Sequence, residues 1–474
     1  MDRSLIAGLL FAALAAFPAF PSSTDTTDDK KLTAFGCMHY SFGQMESGTF
    51  AGQELNHVWL QRLVGDLTLK VKPAQRITLY LGAEVDMNFS LTENYLYMET
   101  LIRYVNIYPF HFEGVLSVLD YPEAKLDFGI GTFPYKYNSE SRDLGEYLFR
   151  SSCYPPNLTT AFDFSEAWLT GARIHNTLFD RVTQDLFLIT ETNYPPVQDY
   201  SLAYVASGKV GYGLELGAGV DFHHLFSVDE TQTTPKSTVN NMYVDTSKTP
   251  PDTGYYTFRG IKLMGRLCFD PKALFSADFF GKEDLRLYSE VAMLGLKDYP
   301  GYYTNLSQRI PVMMGFNWPT NPLASYTILP GIFAYCLTDK FGPTTLISGG
   351  AGILSGIGLW LLQKYFNIQT GLDVLSIEGE YYSNPYANSY ANQFPSGALT
   401  KLPLPIPDGG PNYNDDNWKW AVYATKTFLQ NCILVFQVAD DHMRTREANL
   451  NVADMVEALH HGDWYYMCKV KFTF

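Results

Sequence analysis

The densest group of titratable side chains in this 474-residue chain is Asp440, Asp441, His442, Arg444, Arg446 and Glu447. An aspartate beside a histidine can activate a water for attack on a carbonyl when further acids hold that water from across a cleft. Charges of this kind also simply cap the end of a strand, and the sequence does not show a facing acidic pair. His460 and His461 are too small a group to hold a metal. The six cysteines (Cys37, Cys153, Cys268, Cys336, Cys432 and Cys468) are scattered singly, without CxxC or metal-ligand spacing. No cofactor is implied. A second chemical resource is charge placed at alternate positions of otherwise apolar segments. The acids are Glu84, Asp86, Glu215, Asp221, Asp278, Glu290, Glu378 and Glu380, and the bases are Lys262, Arg266, Arg286, Lys469 and Lys471. Such groups are costly against hydrocarbon and suit a wet interior. Opposed charges along a narrow aqueous path set its ion preference. The same groups could instead pair with neighbours and brace a closed wall.

Two aromatic segments bear on that interior. The stretch from Tyr135 to Phe164 contains Tyr137, Arg142, Glu146, Tyr147, Arg150 and Tyr154, and Tyr381 to Tyr390 is rich in tyrosine. Aromatic and arginine side chains on a loop can stack against sugars or fold inward and narrow a pore. They can equally pack the loop itself. Whichever loop folds inward becomes the constriction.

The elements that position these residues are read from a two-residue period. In Arg76–Asn88, Ile77, Leu79, Leu81, Ala83, Val85 and Met87 form one face; Thr78, Tyr80, Gly82, Glu84, Asp86 and Asn88 form the other. Gly211–Phe226 repeats the pattern. His57–Lys72, Ala124–Pro134, Ser165–Thr177 and Val182–Thr192 fit it too, as do Tyr256–Phe269, Ala273–Lys282 and Leu285–Leu296 in close succession. Leu372–Tyr382, Trp418–Phe428 and Cys432–Ala439 follow. Tyr97–Leu119 and Ser325–Thr338 are weaker. Thr344–Leu362 is an uncharged run of helix-spanning length. Its apolar residues share odd positions and its glycines share even ones, which favours a strand over an inserted helix. Connections near the end run long, short, long: Ser383–Asn417, Leu429–Asn431, Asp440–Asp463.

The last eleven residues, Trp464 to Phe474, read WYYMCKVKFTF. Trp464, Tyr466, Cys468, Val470, Phe472 and Phe474 make an apolar face, and Lys469 and Lys471 lie on the other. This ending resembles the C-terminal strand of Gram-negative outer-membrane β-barrels, in which a terminal Phe and alternating aromatics are the signal for the barrel-assembly machinery. The resemblance assigns that role to Tyr466, Phe472 and Phe474. It implies an all-β fold, a single antiparallel transmembrane β-barrel with short periplasmic turns and long external loops. A tilted strand of about 9–11 residues spans the hydrocarbon, and only closed barrels let β-structure cross it. At about 28 residues per strand and connection, roughly 14–18 strands are expected, an even number near 16.

Composition agrees. Aromatics make up 15% of the chain, with 33 Tyr and 32 Phe, as aromatic girdles require. The formal net charge of −15 argues against a nucleic-acid partner. The opening MDRSLIAGLLFAALAAFPAF reads as a secretory signal peptide, with Arg3 before a short apolar run and small residues offering cleavage between Ala15 and Ser23. The expected organisation is a signal peptide over 1–23, a polar segment over 24–56 leading into the barrel, and the barrel over 57–474. The expected location is a bacterial outer membrane, with the lipid bilayer, the assembly machinery and small hydrophilic solutes as partners and the oligomeric state open. The function that follows is a porin-type, non-enzymatic channel for passive diffusion, weakly cation-preferring because acids outnumber bases among the inward groups. The alternatives are a closed barrel whose external loops bind polysaccharide or a protein partner, and a rim-active hydrolase. In that last case the Asp–His pair resembles omptin-type surface proteases.

Overall fold

The computed structural model describes residues 31–474 apart from 51–52, 89–104, 151–166, 191–198, 227–241, 246–248, 251, 256–259, 276–279, 297–304, 321–371, 384–415, 429–430 and 444–458. Sixteen antiparallel strands close into one barrel, each paired with its sequence neighbours. They are β1 Leu32–Ser47, β2 Val58–Ala74, β3 Ile77–Asn88, β4 Val105–Asp120, β5 Ala124–Tyr135, β6 Ala167–Leu178, β7 Val182–Thr190 and β8 Tyr200–Gly211. The second half comprises β9 Leu214–Phe226, β10 Gly260–Phe269, β11 Leu287–Met293, β12 Val312–Asn317, β13 Val374–Tyr381, β14 Trp418–Phe428, β15 Cys432–Asp440 and β16 Trp464–Thr473. The barrel and the strand number match the sequence expectation.

Closure runs through the chain's two ends. β1 pairs with β16 from Cys37–Thr473 to Ser47–Trp464. The last residue extends the ladder: Phe474 N–H donates to the Gly36 carbonyl at 3.1 Å, and Gly36 N–H donates to the Phe474 carbonyl at 3.0 Å. The barrel therefore starts at Leu32 and not at residue 57. β1 escapes a period-2 reading because both of its faces carry apolar residues, with Phe35, Cys37 and Met45 alternating against Met38, Tyr40 and Phe42.

Facing follows the alternation. Leu79, Leu81, Leu216, Leu263, Val291, Ile377, Phe436 and Phe472 are exposed on the outer wall. Their neighbours Asp86, Lys262, Glu290, Glu378 and Gln437 are buried inside. Exposed aromatics ring both ends: Trp59, Tyr200, Phe226, Tyr381, Trp418 and Trp464 at one, Tyr121, Phe179, Tyr212, Phe428 and Phe474 at the other. Cysteine placed at Glu215, in a chain whose own cysteines are replaced, should react with a water-soluble maleimide in intact membranes. Cysteine at Leu216 should not. Equal labelling at the two sites would contradict this facing.

Connections at one end are tight: 75–76, 121–123, 179–181, 212–213 and 429–431. Two at that end break the rule, 270–286 and 318–373. The first corrects a sequence expectation. Ala273–Lys282 reads as a strand, yet β10 pairs directly with β11, Phe269 opposite Leu287. Asp270 instead caps a 3-10 turn, Pro271–Leu274, accepting from Lys272 N–H at 3.0 Å. Proline at the start of that turn has no N–H for a ladder. Asp278, expected on an inward face, lies outside the described residues, as do Ser325–Thr338 and Thr344–Leu362. Strands β11 and β12, which flank the long connections, have 7 and 6 residues.

The barrel is not hollow. Met45, Phe133, Leu144, Tyr147, Leu148, Phe187, Met264, Tyr288, Met313, Tyr465 and Met467 form one buried cluster inside it. Leu144, Tyr147 and Leu148 belong to no strand: residues 136–150 of the connection after β5 fold into the lumen.

Candidate functional site: the infolded segment and the lumen it narrows

The segment from Lys136 to Arg150 leaves β5, turns at Gly145 (φ +87°) and Glu146 (φ 61°), and ends in a short helix, Tyr147–Arg150. Glycine suits position 145 because φ +87° is a left-handed backbone that L side chains rarely adopt. The described part of the tyrosine–arginine segment singled out in the sequence thus folds inward; its remainder, 151–166, lies outside the described residues. So does the tyrosine-rich stretch 381–390 beyond position 383.

A loop buried inside a barrel must find partners for its own backbone. Two wall carboxylates, Glu290 and Glu378, supply them, and a third, Glu380, holds a side chain. Glu290 accepts from Tyr147 N–H (2.8 Å), Glu146 N–H (2.9 Å), the Tyr137 hydroxyl (2.5 Å) and Asn138 Nδ2 (3.1 Å). Glu378 accepts from the N–H groups of Arg142 (2.5 Å), Asp143 (2.9 Å) and Leu144 (2.8 Å) and from the Tyr288 hydroxyl (2.7 Å). Glu380 accepts from the Tyr147 hydroxyl at 2.8 Å and meets His442 Nε2 at 2.5 Å. One base completes the clamp: Lys262 donates to the Leu148 carbonyl at 2.6 Å and pairs with Asp221 at 3.1 Å. At the far end of the segment Arg286 holds Glu140 at 2.7 Å and Glu283 at 2.9 Å.

The inward residues expected from alternation therefore divide. Glu290, Glu378, Glu380, Lys262 and, through Lys262, Asp221 sit beneath the infolded segment, all nearly inaccessible. Arg286 lies just before β11 rather than on a strand. The others line the interior away from the clamp. Asp86 is held bidentately by Arg62 (2.8 and 2.9 Å), with Glu84 at 3.9 Å. Glu215 pairs with Arg266 at 2.5 Å. Lys469 and Lys471 are half-buried along β16. Sequence reasoning missed Arg62, Glu113, Arg173, His175 and Asp185. Arg173 holds Glu113 at 2.6 Å, and His175 Nδ1 meets Asp185 at 2.7 Å. Their signal was available, since Leu169, Arg173, His175 and Thr177 share one face of an alternating segment.

The cluster at 440–447 has a structural place. Asp440 pairs with Lys419 at 3.2 Å, Asp441 accepts from the Tyr465 hydroxyl at 2.8 Å, and His442 meets Glu380. All three are buried within the barrel end; Arg444, Arg446 and Glu447 lie outside the described residues. Asp143 of the infolded segment faces Asp441, and Asp143 Oδ2 and Asp441 Oδ1 have no donor within reach. Two carboxyl groups in contact need a proton between them. Burial, and next the charge of Asp441, hold the Asp143 carboxyl well above the usual carboxylate range. Burial, and next Glu290, push Glu146 up to about 7. Both groups are raised above their unfolded values, so the docking they support is full in acid and is lost as pH rises through the raised values. Trypsin cleavage at Lys136, Arg142 or Arg150 should thus accelerate from pH 6 to 8, beyond the enzyme's own pH dependence on a free peptide. Asp143→Asn with Glu146→Gln should remove most of that change.

Against the segment, on the side of β6, β7 and β8, lies a cavity of about 220 Å³ lined by Tyr135, Lys136, Tyr137, Arg173, His175 and their neighbours Thr183, Asp185, Val205 and Ser207. Among the described residues no His, Cys, Asp and Glu side chains gather as a metal site.

No protein-family model matches the chain, and no curated protein matches it. Solved structures of Rh. blastica porin mutants align with it. A mutant with three substitutions covers 94% of this chain and 100% of its own at 10% identity, with a TM-score of 0.40. Another triple mutant of Rhodopseudomonas blastica porin aligns over the same shares at 9% identity, with a TM-score of 0.39. The barrel itself stands on its own strand pairing.

Proposed function

We propose that this chain is a porin-type channel of a bacterial outer membrane, admitting small hydrophilic solutes by passive diffusion past the infolded segment. The observation that carries this reading is a closed wall with two contrasting faces. Its outer face is apolar and ringed by aromatics at both ends, as a bilayer demands. Its inner face is charged and narrowed from within by residues 136–150. The end with the tight turns is then periplasmic, and the leader over 1–23 directs export. The interior groups Glu84, Asp86, Glu215, Arg266, Lys469 and Lys471 line the route, and the barrel-assembly machinery reads Tyr466, Phe472 and Phe474. Catalysis has no part in this function: the Asp–His pair at 441–442 is closed off and engaged in holding the segment.

A weak cation preference follows from the surplus of acids around the narrowed path. Reversal potentials across a tenfold KCl gradient test it. A modest cation preference is expected at low salt, fading towards 1 M, where the Debye length is about 3 Å. Clear anion selectivity would mean that Lys262, Arg266, Arg286, Lys469 and Lys471, with Arg62 and Arg173, outweigh the acids at the narrow point.

A further inference from the structure

The cavity beside the infolded segment is built of donors. Asp185, its one carboxylate, is already spent: Oδ1 takes the His175 Nδ1–H at 2.7 Å and Oδ2 takes the Tyr135 hydroxyl at 2.9 Å. Arg173 donates one N–H to Glu113 Oε2 at 3.0 Å, its Nε lies 2.6 Å from Glu113 Oε1 as an ion pair, and its guanidinium lies 4.7 Å over the Phe133 ring. A guanidinium has five N–H donors, so Arg173 keeps others for the cavity it lines. Lys136 uses one of its three N–H groups on the Ser141 carbonyl at 2.6 Å. Burial, and next Arg150, push Lys136 down to about 8, which leaves it cationic at neutral pH. Its surroundings include Arg142 as well as Glu146 and Glu378. Thr183 and Ser207 add hydroxyl groups on the wall, and Tyr137 lines the cavity from the segment. The cavity is smaller than the roughly 300–1,000 Å³ of drug-sized ligand sites, so its occupant is small.

We propose that this cavity is a solute subsite for the oxyanion, carboxylate or phosphate, of a small hydroxylated organic anion, with Lys136 and Arg173 as its two charged contacts. The proposal rests on the channel reading and names the solute class that pauses at the narrow point. It is compatible with a weak cation preference. Ion preference sums the field of the whole lumen, whereas dwell time depends on charge-assisted hydrogen bonds at one place.

Single channels in KCl at neutral pH would be exposed to gluconate, glucose 6-phosphate or uncharged glucose, and the same probes titrated calorimetrically into the protein in detergent. The expected result is current block and binding by the two anions and neither by glucose. Gluconate outranking glucose 6-phosphate would assign the subsite to carboxylates, and the reverse order to phosphates. Lys136→Gln and Arg173→Gln should each weaken block about tenfold, the loss of one charge-assisted contact. Arg173→Gln takes the arginine from buried Glu113, leaving it His111 at 3.3 Å, and can disturb folding, so Lys136→Gln is the deciding variant. Glucose acting as strongly as the anions, or Lys136→Gln blocking like the parent, would overturn the subsite. Anion binding in detergent without any conductance would uphold the subsite and overturn the channel. Conductance without block or binding would do the opposite.

Discussion

Glu290→Ala should free the infolded segment and raise single-channel conductance several-fold. Four loop donors converge on this carboxylate, two of them backbone N–H groups, and all are buried. Removing the acceptor strands each donor at about 1–3 kcal/mol, and the costs do not simply add. The loop can escape them only by leaving the wall for water. The wall itself is unaffected, because β11 keeps its ladder to β10 and β12. Glu290→Gln keeps one acceptor oxygen and should fall between parent and alanine variant. The recordings should show a larger and noisier open level for Glu290→Ala, with unchanged heat resistance of the barrel in detergent. An unaltered conductance would mean that the segment does not limit flow.

Phe474→Asp should leave most of the protein outside the membrane. The last residue has two jobs in the fold. Its backbone closes the seam with Gly36, and its ring is exposed on the outer wall beside Phe472. The aspartate variant keeps the backbone pair and replaces the ring with a charge, so it tests the side chain apart from the closure. Deleting Phe474 removes both and should be worse. Fractionation followed by the heat-shift of folded barrel on a gel measures the outcome. Normal membrane levels of Phe474→Asp would show that the aromatic ending is not an assembly signal.

The strands were legible where one face is apolar and the other is not. Trp464–Phe474 and Ile77–Asn88 alternate cleanly, and both fold as read. β1 was hidden because the face that packs on the buried cluster through Met45 mixes Phe35 and Cys37 with Thr33, His39 and Ser41, which blurs the contrast with the face of Met38, Tyr40 and Phe42. Ala273–Lys282 misled because its alternating residues follow Asp270-Pro271, a turn signal that outranks periodicity once the proline removes a ladder donor. The inward acids that lie among the described residues were legible by position, but their task was not. Glu290 lies 153 residues from Tyr137, and Glu378 lies 236 from Arg142. Nothing local marks a carboxylate that will receive another segment's backbone. The same distance hid Asp143 from Asp441.

Single-channel recording of the refolded protein in a planar bilayer is the most direct test of an open lumen. Discrete, ohmic steps in KCl are expected, carried by one barrel and enlarged by Glu290→Ala. A barrel that inserts, resists heat like a folded one and passes no current, in the parent and in Glu290→Ala alike, would contradict it.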